Sequence, residues 1–201
     1  MLFIVSAPSG TGKTTVVERL VKVTDRLKLS RSYTSRAPRG DDADGVDYNF
    51  VNRETFEHMI AGGEFLEHAE VFGNFYGTHA GDATSCLESG DDVVLVIDVQ
   101  GARKVRRVGL PHVAIFVLPP SYEALGQRLR GRSKDSDEAI RRRLDVAREE
   151  VSAFEEYDYV VINDHLEACV ERIRAIVLAE RSKLQCMRSE VVDILRSFNG
   201  V

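Results

Sequence analysis

Leu2-Phe3-Ile4-Val5-Ser6-Ala7-Pro8-Ser9-Gly10-Thr11-Gly12-Lys13-Thr14-Thr15 opens the chain, and its reading decides the fold. Four apolar residues, two of them β-branched, predict a buried parallel strand over 2–6. Pro8 and Gly10 break that strand, and Val16, Val17, Leu20 and Val21 then recur at helical spacing. A strand, a glycine-bearing turn and a helix that starts on Lys-Thr are the setting of a phosphate-binding loop. Glycines let backbone N–H groups curl around phosphate oxygens, and the helix N-terminus adds partial positive charge. Lys13 is expected to reach the β- and γ-phosphates of a nucleoside triphosphate, and the Thr14 hydroxyl to ligate Mg2+. The strict pattern wants glycine at position 7, where this chain has Ala7; its phosphate-facing end, Gly12-Lys13-Thr14, is intact.

Farther along, Val93–Ile97 is a five-residue apolar run closed by Asp98, which predicts a central parallel strand carrying a carboxylate to the ligand edge of a sheet. Val113–Leu118, closed by Pro119-Pro120, and Tyr159–Ile162, which reaches Asn163-Asp164, predict two more strands. Helices are expected at about 79–89, after Gln100-Gly101, from a Ser121 cap through Leu129, around Arg141–Arg143, and from about 165 to 182. This alternation predicts an α/β fold, a central parallel sheet flanked by helices.

The stretch from about 32 to 80 reads differently, as a small mixed lobe inserted into that pattern. Leu27–Tyr33 alternates like one strand, Asp47–Val51 reads as another, and Arg53–Ile60 as a helix ended by Gly62-Gly63. Glu64–Phe72 looks extended, and Gly73–Thr78 looks like a turn carrying two aromatics. Arg36 and Arg39, three apart around Pro38, suit either an anion or a solvated surface turn. From 128 to 143 the chain is at its most basic. Gly131 and the polar string after it suggest a mobile cover, whose arginines suit either a transferring phosphate or a solvated helix face.

Composition narrows the classes. The 201 residues suit one sizeable domain with inserted lobes. A net charge of −5 argues against general nucleic-acid binding. No apolar run approaches the roughly 20 residues needed to cross a bilayer, and the short apolar start lacks a basic flank, so neither membrane nor secretion is expected. Cys86, Cys169 and Cys186 are sparse and in no metal-ligand pattern, which suits reduced thiols in the cytoplasm. The amphipathic stretch 190–198 could pack on the domain or on a second subunit, leaving monomer and homodimer both open.

Taken together, the motifs resemble the guanylate kinase family over nearly the whole chain. They are Ser6–Thr14, Thr34-Ser35-Arg36-Ala37-Pro38-Arg39, Asp47-Tyr48-Asn49-Phe50, Glu64-Phe65-Leu66-Glu67, Asn74-Phe75-Tyr76-Gly77-Thr78, Ile97-Asp98-Val99-Gln100-Gly101, Arg128–Arg132 and Val161–Asp164. Ala7 is then a family trait. The resemblance implies transfer of phosphate from ATP to GMP, giving ADP and GDP, with Mg2+. It implies a core of residues 1–31, 80–126 and 144–201, a GMP-binding lobe at 32–79 and a lid at 127–143. Ala7, Pro8, Ser9, Gly10, Thr11, Gly12, Lys13, Thr14, Thr15, Arg128 and Asn163 would bind ATP. Arg36, Arg39, Tyr48 and Tyr76 would hold the GMP phosphate, while Ser32, Glu67, Thr78 and Asp98 would face guanine. Asp42 stands where the family usually has glutamate, so its reach toward GMP would be shorter. Lys13, Arg36 and the lid arginines Arg128, Arg132 and Arg143 would carry the catalysis.

The chemistry agrees at Glu67. Guanine presents two adjacent donors, N1–H and the 2-amino group, which one carboxylate accepts together; adenine would leave that carboxylate unpaired, a difference that can reach ~10⁴ in specificity. Two alternatives fit the residues less well. A non-catalytic interaction domain of this shape would lack Lys13, Thr14 and the lid arginines. A kinase for phosphorylated ribose would need no guanine-facing set.

Overall fold

The computed structural model describes residues 1–40, 42–71, 73–132 and 136–198, with the Arg132 side chain outside that description. In chain order the elements are β1 (Leu2–Ser6), α1 (Lys13–Val23), β2 (Leu27–Leu29), β3 (Tyr33–Thr34), β4 (Asn49–Phe50), α2 (Arg53–Ala61), β5 (Phe65–Val71), β6 (Asn74–His79) and α3 (Ala80–Glu88). They continue with β7 (Asp92–Val96), α4 (Val99–Val108), β8 (His112–Leu118), α5 (Tyr122–Arg132), α6 (Asp137–Val151), β9 (Tyr159–Ile162), α7 (Leu166–Arg181) and α8 (Leu184–Phe198).

Among the described residues, one sheet is wholly parallel, in the order β2-β7-β1-β8-β9. Its central strands are apolar apart from an end residue each (Ser6, Asp92 and His112) because helices cover both faces. Phe3 and Val5 point to one side, where Val16, Val17 and Leu20 of α1 meet Cys169, Val170, Ile173 and Val177 of α7. Leu2 and Ile4 point to the other, against Ala83 of α3 and Ala102 and Val105 of α4. The two-residue period of β1 thus splits its side chains between two cores.

The second sheet, β4-β3-β6-β5, is mixed: β3 and β4 run parallel, and β6 is antiparallel to both β3 and β5. Phe56 of α2 is fully buried between the rings of Phe65 and Phe75. Two expectations are corrected here. Leu27–Tyr33 is not one strand: β2 ends at Leu29 in the parallel sheet, and the chain crosses to the mixed sheet before β3. Gly73–Thr78 is not a turn: Gly73 alone takes the left-handed φ of +78°, and Asn74–His79 pairs with β5 from Val71↔Asn74 to Phe65↔His79. The other expected elements are present among the described residues, with shifted ends; Phe72, the last residue of the expected stretch Glu64–Phe72, lies outside them.

Past Leu129, helix α5 continues through Gly131 to Arg132, beyond the expected end. Leu125 and Leu129 pack against Ile140, Leu144 and Ala147 of α6. The link residues Ser133, Lys134 and Asp135, like Asp41 in the loop after Arg39, lie outside the described residues. At the end of the chain α8 leaves Ile194, Leu195 and Phe198 exposed instead of packing them on the domain. No helix among the described residues is long and apolar enough to cross a membrane.

Candidate active site

Chemistry gathers at the carboxyl edge of the parallel sheet. After β1 the chain turns through 7–12 before α1 begins at Lys13. Gly10 (φ +89°) and Gly12 (φ +95°) hold left-handed conformations that a side chain would strain. Gly10 is also crowded: a Cβ there would sit 2.5 Å from Leu129 Cδ2 of α5. Lys13 Nζ donates to the Ile97 carbonyl at 2.8 Å, just beyond β7. Burial pulls the Lys13 pKa down, opposed by the carboxylates of Asp98, Glu150 and Glu67. Thr14 is exposed at the first turn of α1.

Asn163 follows β9 and is buried, its Nδ2 donating to the Thr11 carbonyl at 2.8 Å. The Arg128 guanidinium donates to the carbonyls of Asn163 (2.8 Å) and Thr11 (3.3 Å). These groups, with Gly12, Thr15 and Leu166, border a cleft of about 370 Å³. Helix α6 reaches the same loop from the other side. Arg143 Nε and Nη2 donate to Ser9 Oγ at 3.2 and 3.1 Å, and the Ser9 N–H donates to Glu150 Oε2 at 3.3 Å. Burial raises the Glu150 carboxyl pKa, against the pull of the Ser9 N–H and Lys13.

The mixed sheet supplies a second set of groups. Glu67 of β5 stands opposite Thr78 of β6, whose hydroxyl donates to Glu67 Oε1 at 2.8 Å. Both are buried, at 7% and 1% exposure. Burial pushes the Glu67 carboxyl up to about 6; Thr78 opposes that rise, Asp98 adds to it, and Lys104 opposes it. Asp98 caps α4 by accepting the Gly101 N–H at 2.7 Å. At the other end of the set, the buried Arg36 guanidinium lies 5.4 Å from the Tyr48 ring centroid, and Tyr48 lies 5.8 Å from Tyr76. Asp42 Oδ2 accepts from the Arg39 N–H at 2.9 Å and from Arg36 Nη2 at 2.8 Å, and these donors hold its carboxyl below the usual range. The aspartate thus reaches Arg36 despite its short side chain. Ser32 is half-buried just before β3, and the Arg39 side chain is exposed.

The expected residues therefore fall into two groups, one around the loop and one on and beside the mixed sheet, with Lys13 close enough to feel both Glu67 and Asp98. Of the lid arginines, Arg128 and Arg143 touch the loop; the Arg132 side chain lies outside the description. Two participants escaped the sequence reading. Glu150 could have been found from its spacing, two helical turns after Arg143 on the same face. Lys104, whose Nζ donates to the His68 carbonyl, carries no sequence signal that separates it from a surface lysine.

A parallel sheet with a phosphate loop at its carboxyl edge, facing a smaller lobe built around a buried acid and an arginine, defines a P-loop nucleoside monophosphate kinase. Comparison with known proteins narrows the class. The guanylate kinase family profile matches residues 1–180. The chain is 52% identical over 182 residues to the guanylate kinase of Nitrosospira multiformis, covering 90% of this chain and 87% of that one. It is 44% identical over 199 residues to that of Alkalilimnicola ehrlichii, covering 99% and 98%. The crystal structure of guanylate kinase from Anaplasma phagocytophilum superposes with a TM-score of 0.75 at 38% identity, covering 91% of this chain and 87% of that one. The chain belongs to the guanylate kinase family.

Proposed function

We infer that the protein transfers the γ-phosphate of ATP to the phosphate of GMP, giving ADP and GDP. Beyond family membership, one observation carries the choice of acceptor: a buried carboxylate, Glu67, held by Thr78 in the lobe that also carries Arg36. A desolvated acid favours a base edge that offers two adjacent donors, because a base with fewer donors there leaves part of the buried carboxylate without a partner.

The residues divide the work. ATP lies in the loop 7–15, its base toward Arg128 and Asn163. Lys13 exchanges the Ile97 carbonyl for phosphate oxygens. Arg36, Arg39, Tyr48 and Tyr76 hold the GMP phosphate, and Asp42 orients the Arg36 guanidinium while tying down the Arg39 backbone. Ser32, Thr78 and Asp98 complete the guanine side with Glu67. No general base is required, since the acceptor phosphate attacks as an existing anion and the transition state is loose. Lys13 and the arginines neutralise charge on the transferred group. Segment 127–143 closes over it as a lid, with Arg128, Arg132 and Arg143, and excludes water. The exposed Thr14 hydroxyl suits a Mg2+ whose other ligands are phosphate oxygens and waters, a hard cation that would neutralise phosphate charge when bound. Free thiols at Cys86, Cys169 and Cys186 fit a cytoplasmic setting.

A coupled assay for ADP, run with GMP, AMP and ribose phosphates as acceptors, tests the reading. GMP is expected to support turnover and the others are not; comparable rates with AMP or a sugar phosphate refute it. Glu67→Gln should lower kcat/KM for GMP by about 100-fold or more with the KM for ATP nearly unchanged.

A further inference from the structure

The helix behind Glu67 holds a residue that neither the loop nor the guanine-facing set explains. Gly101 lies in the first turn of α4, in the segment Ile97-Asp98-Val99-Gln100-Gly101, of which only the Ile97 carbonyl and Asp98 have been given roles. Its backbone is ordinary helix and not among the left-handed glycines, so the conformation does not require glycine, and helix propensity favours alanine there. Space does require it. A Cβ on Gly101 would stand 2.9 Å from Glu67 Oε2, 3.2 Å from Ile97 Cβ and 3.3 Å from Asp98 Oδ1.

None of these three walls yields freely. Ile97 is buried, with 6% of its surface exposed. Asp98 Oδ1 is bonded to the Gly101 N–H itself. The other Glu67 oxygen is held by Thr78, and the Glu67 backbone by its pairing with β6. Nor can α4 simply back away. Val99, Ala102 and Val105 are buried in the cores, and one turn beyond Gly101, Lys104 donates to the carbonyl of His68, the neighbour of Glu67. The added methyl would therefore be accommodated by displacing or rotating the Glu67 carboxylate.

We propose that Gly101 is a specificity-determining position: the space left by its missing side chain lets Glu67 present both oxygens to the two adjacent donors of guanine. Gly101 is a positioning residue, acting through Glu67, and the proposal rests on the reading of Glu67 as the guanine acceptor. It predicts that a single methyl group, placed outside the base pocket and behind the carboxylate, blurs base recognition without touching the phosphate chemistry.

The test is Gly101→Ala in the full chain, with GMP, inosine monophosphate (the same base lacking the 2-amino group) and ATP as varied substrates, alone and with Glu67→Asp. Gly101→Ala should raise the KM for GMP about tenfold or more and leave kcat and the KM for ATP within about threefold. Its effect on inosine monophosphate should be smaller, so that the preference for GMP falls. Glu67→Asp draws the carboxylate back by one methylene and vacates the crowded space; in that background Gly101→Ala should add less than about twofold. An unchanged KM for GMP overturns the proposal. So does an equal loss for both acceptors, a parallel rise in the KM for ATP, or the same penalty in the Glu67→Asp background. If Gly101→Ala alone fails to fold, recovery of a cooperative melt in the double variant supports the crowding and its absence overturns it. If Glu67→Asp alone leaves GMP use unchanged, the reading of Glu67 has failed; if it impairs GMP use while Gly101→Ala does not, only the present proposal has.

Discussion

Glu67 is placed under opposing demands. Its carboxyl is pushed up to about 6 by burial, yet both guanine donors require the ionised form. For binding, the sign is clear: as pH falls below about 6 the free site protonates, one oxygen becomes a donor, and the KM for GMP should rise toward tenfold per pH unit. The acceptor phosphate titrates in the same range, so the comparison with Glu67→Gln isolates the residue: that variant should show a shallower rise between pH 7 and 5. For stability the sign is reversed. A carboxyl whose folded pKa is raised binds more protons in the native state between about 4.5 and 6, so the ligand-free protein loses ~2 kcal/mol from this group as pH climbs through that window. The sequence showed why a glutamate at position 67 would read guanine, since that is chemistry. It could not show the burial or the Thr78 bond, which follow from pairing across two strands. Glu150 was harder to see, because its partner, the Ser9 N–H, lies 141 residues away.

Among elements, α2 is the clearest case of a helix placed by one side chain. Phe56 is stacked between Phe65 (centroids 4.5 Å apart, planes at 19°) and Phe75 (5.3 Å, 17°), while the rest of α2 is largely exposed. Aromatic contact of this kind is the core of the mixed sheet, whose β3 and β4 are only two residues each. Phe56→Ala should cost about 3–5 kcal/mol of lobe stability. Because the main cores do not include Phe56, ATP binding should outlast GMP binding as urea is raised, measured by titrating each nucleotide at intermediate denaturant; simultaneous loss would contradict an independently weakened lobe. The strands of this lobe were also the least legible elements. β6 reads as a turn because Gly73 precedes it and Gly77 interrupts it, but Gly77 is a spacing residue: a Cβ there would meet Phe65 Cδ1 at 2.9 Å and Phe56 Cζ at 3.1 Å. By contrast β1, β7 and β8, each dominated by an apolar run, were legible without any partner.

For the whole molecule, the fold class could be read from the order of motifs, but the strand order β2-β7-β1-β8-β9 could not, since pairing is not written in a local pattern. Nor could the way α5 and α6 are joined to the loop. Leu125 and Leu129 bind α5 to α6 and crowd Gly10, while α6 meets Ser9 with a cation on the hydroxyl and an anion on the amide. Glu150 takes up an amide of the loop and adds negative charge beside Lys13. Glu150→Gln should therefore lower the KM for ATP, by about threefold or more, with little change for GMP; a raised KM for ATP would show that the carboxylate chiefly supports the loop. The Ser9 contact also lets one proton report on how α6 meets the loop. Its amide donates to Glu150 of α6, so the rate at which that hydrogen is traded for deuterium is expected to record how often this one contact breaks, with no label attached and no turnover required.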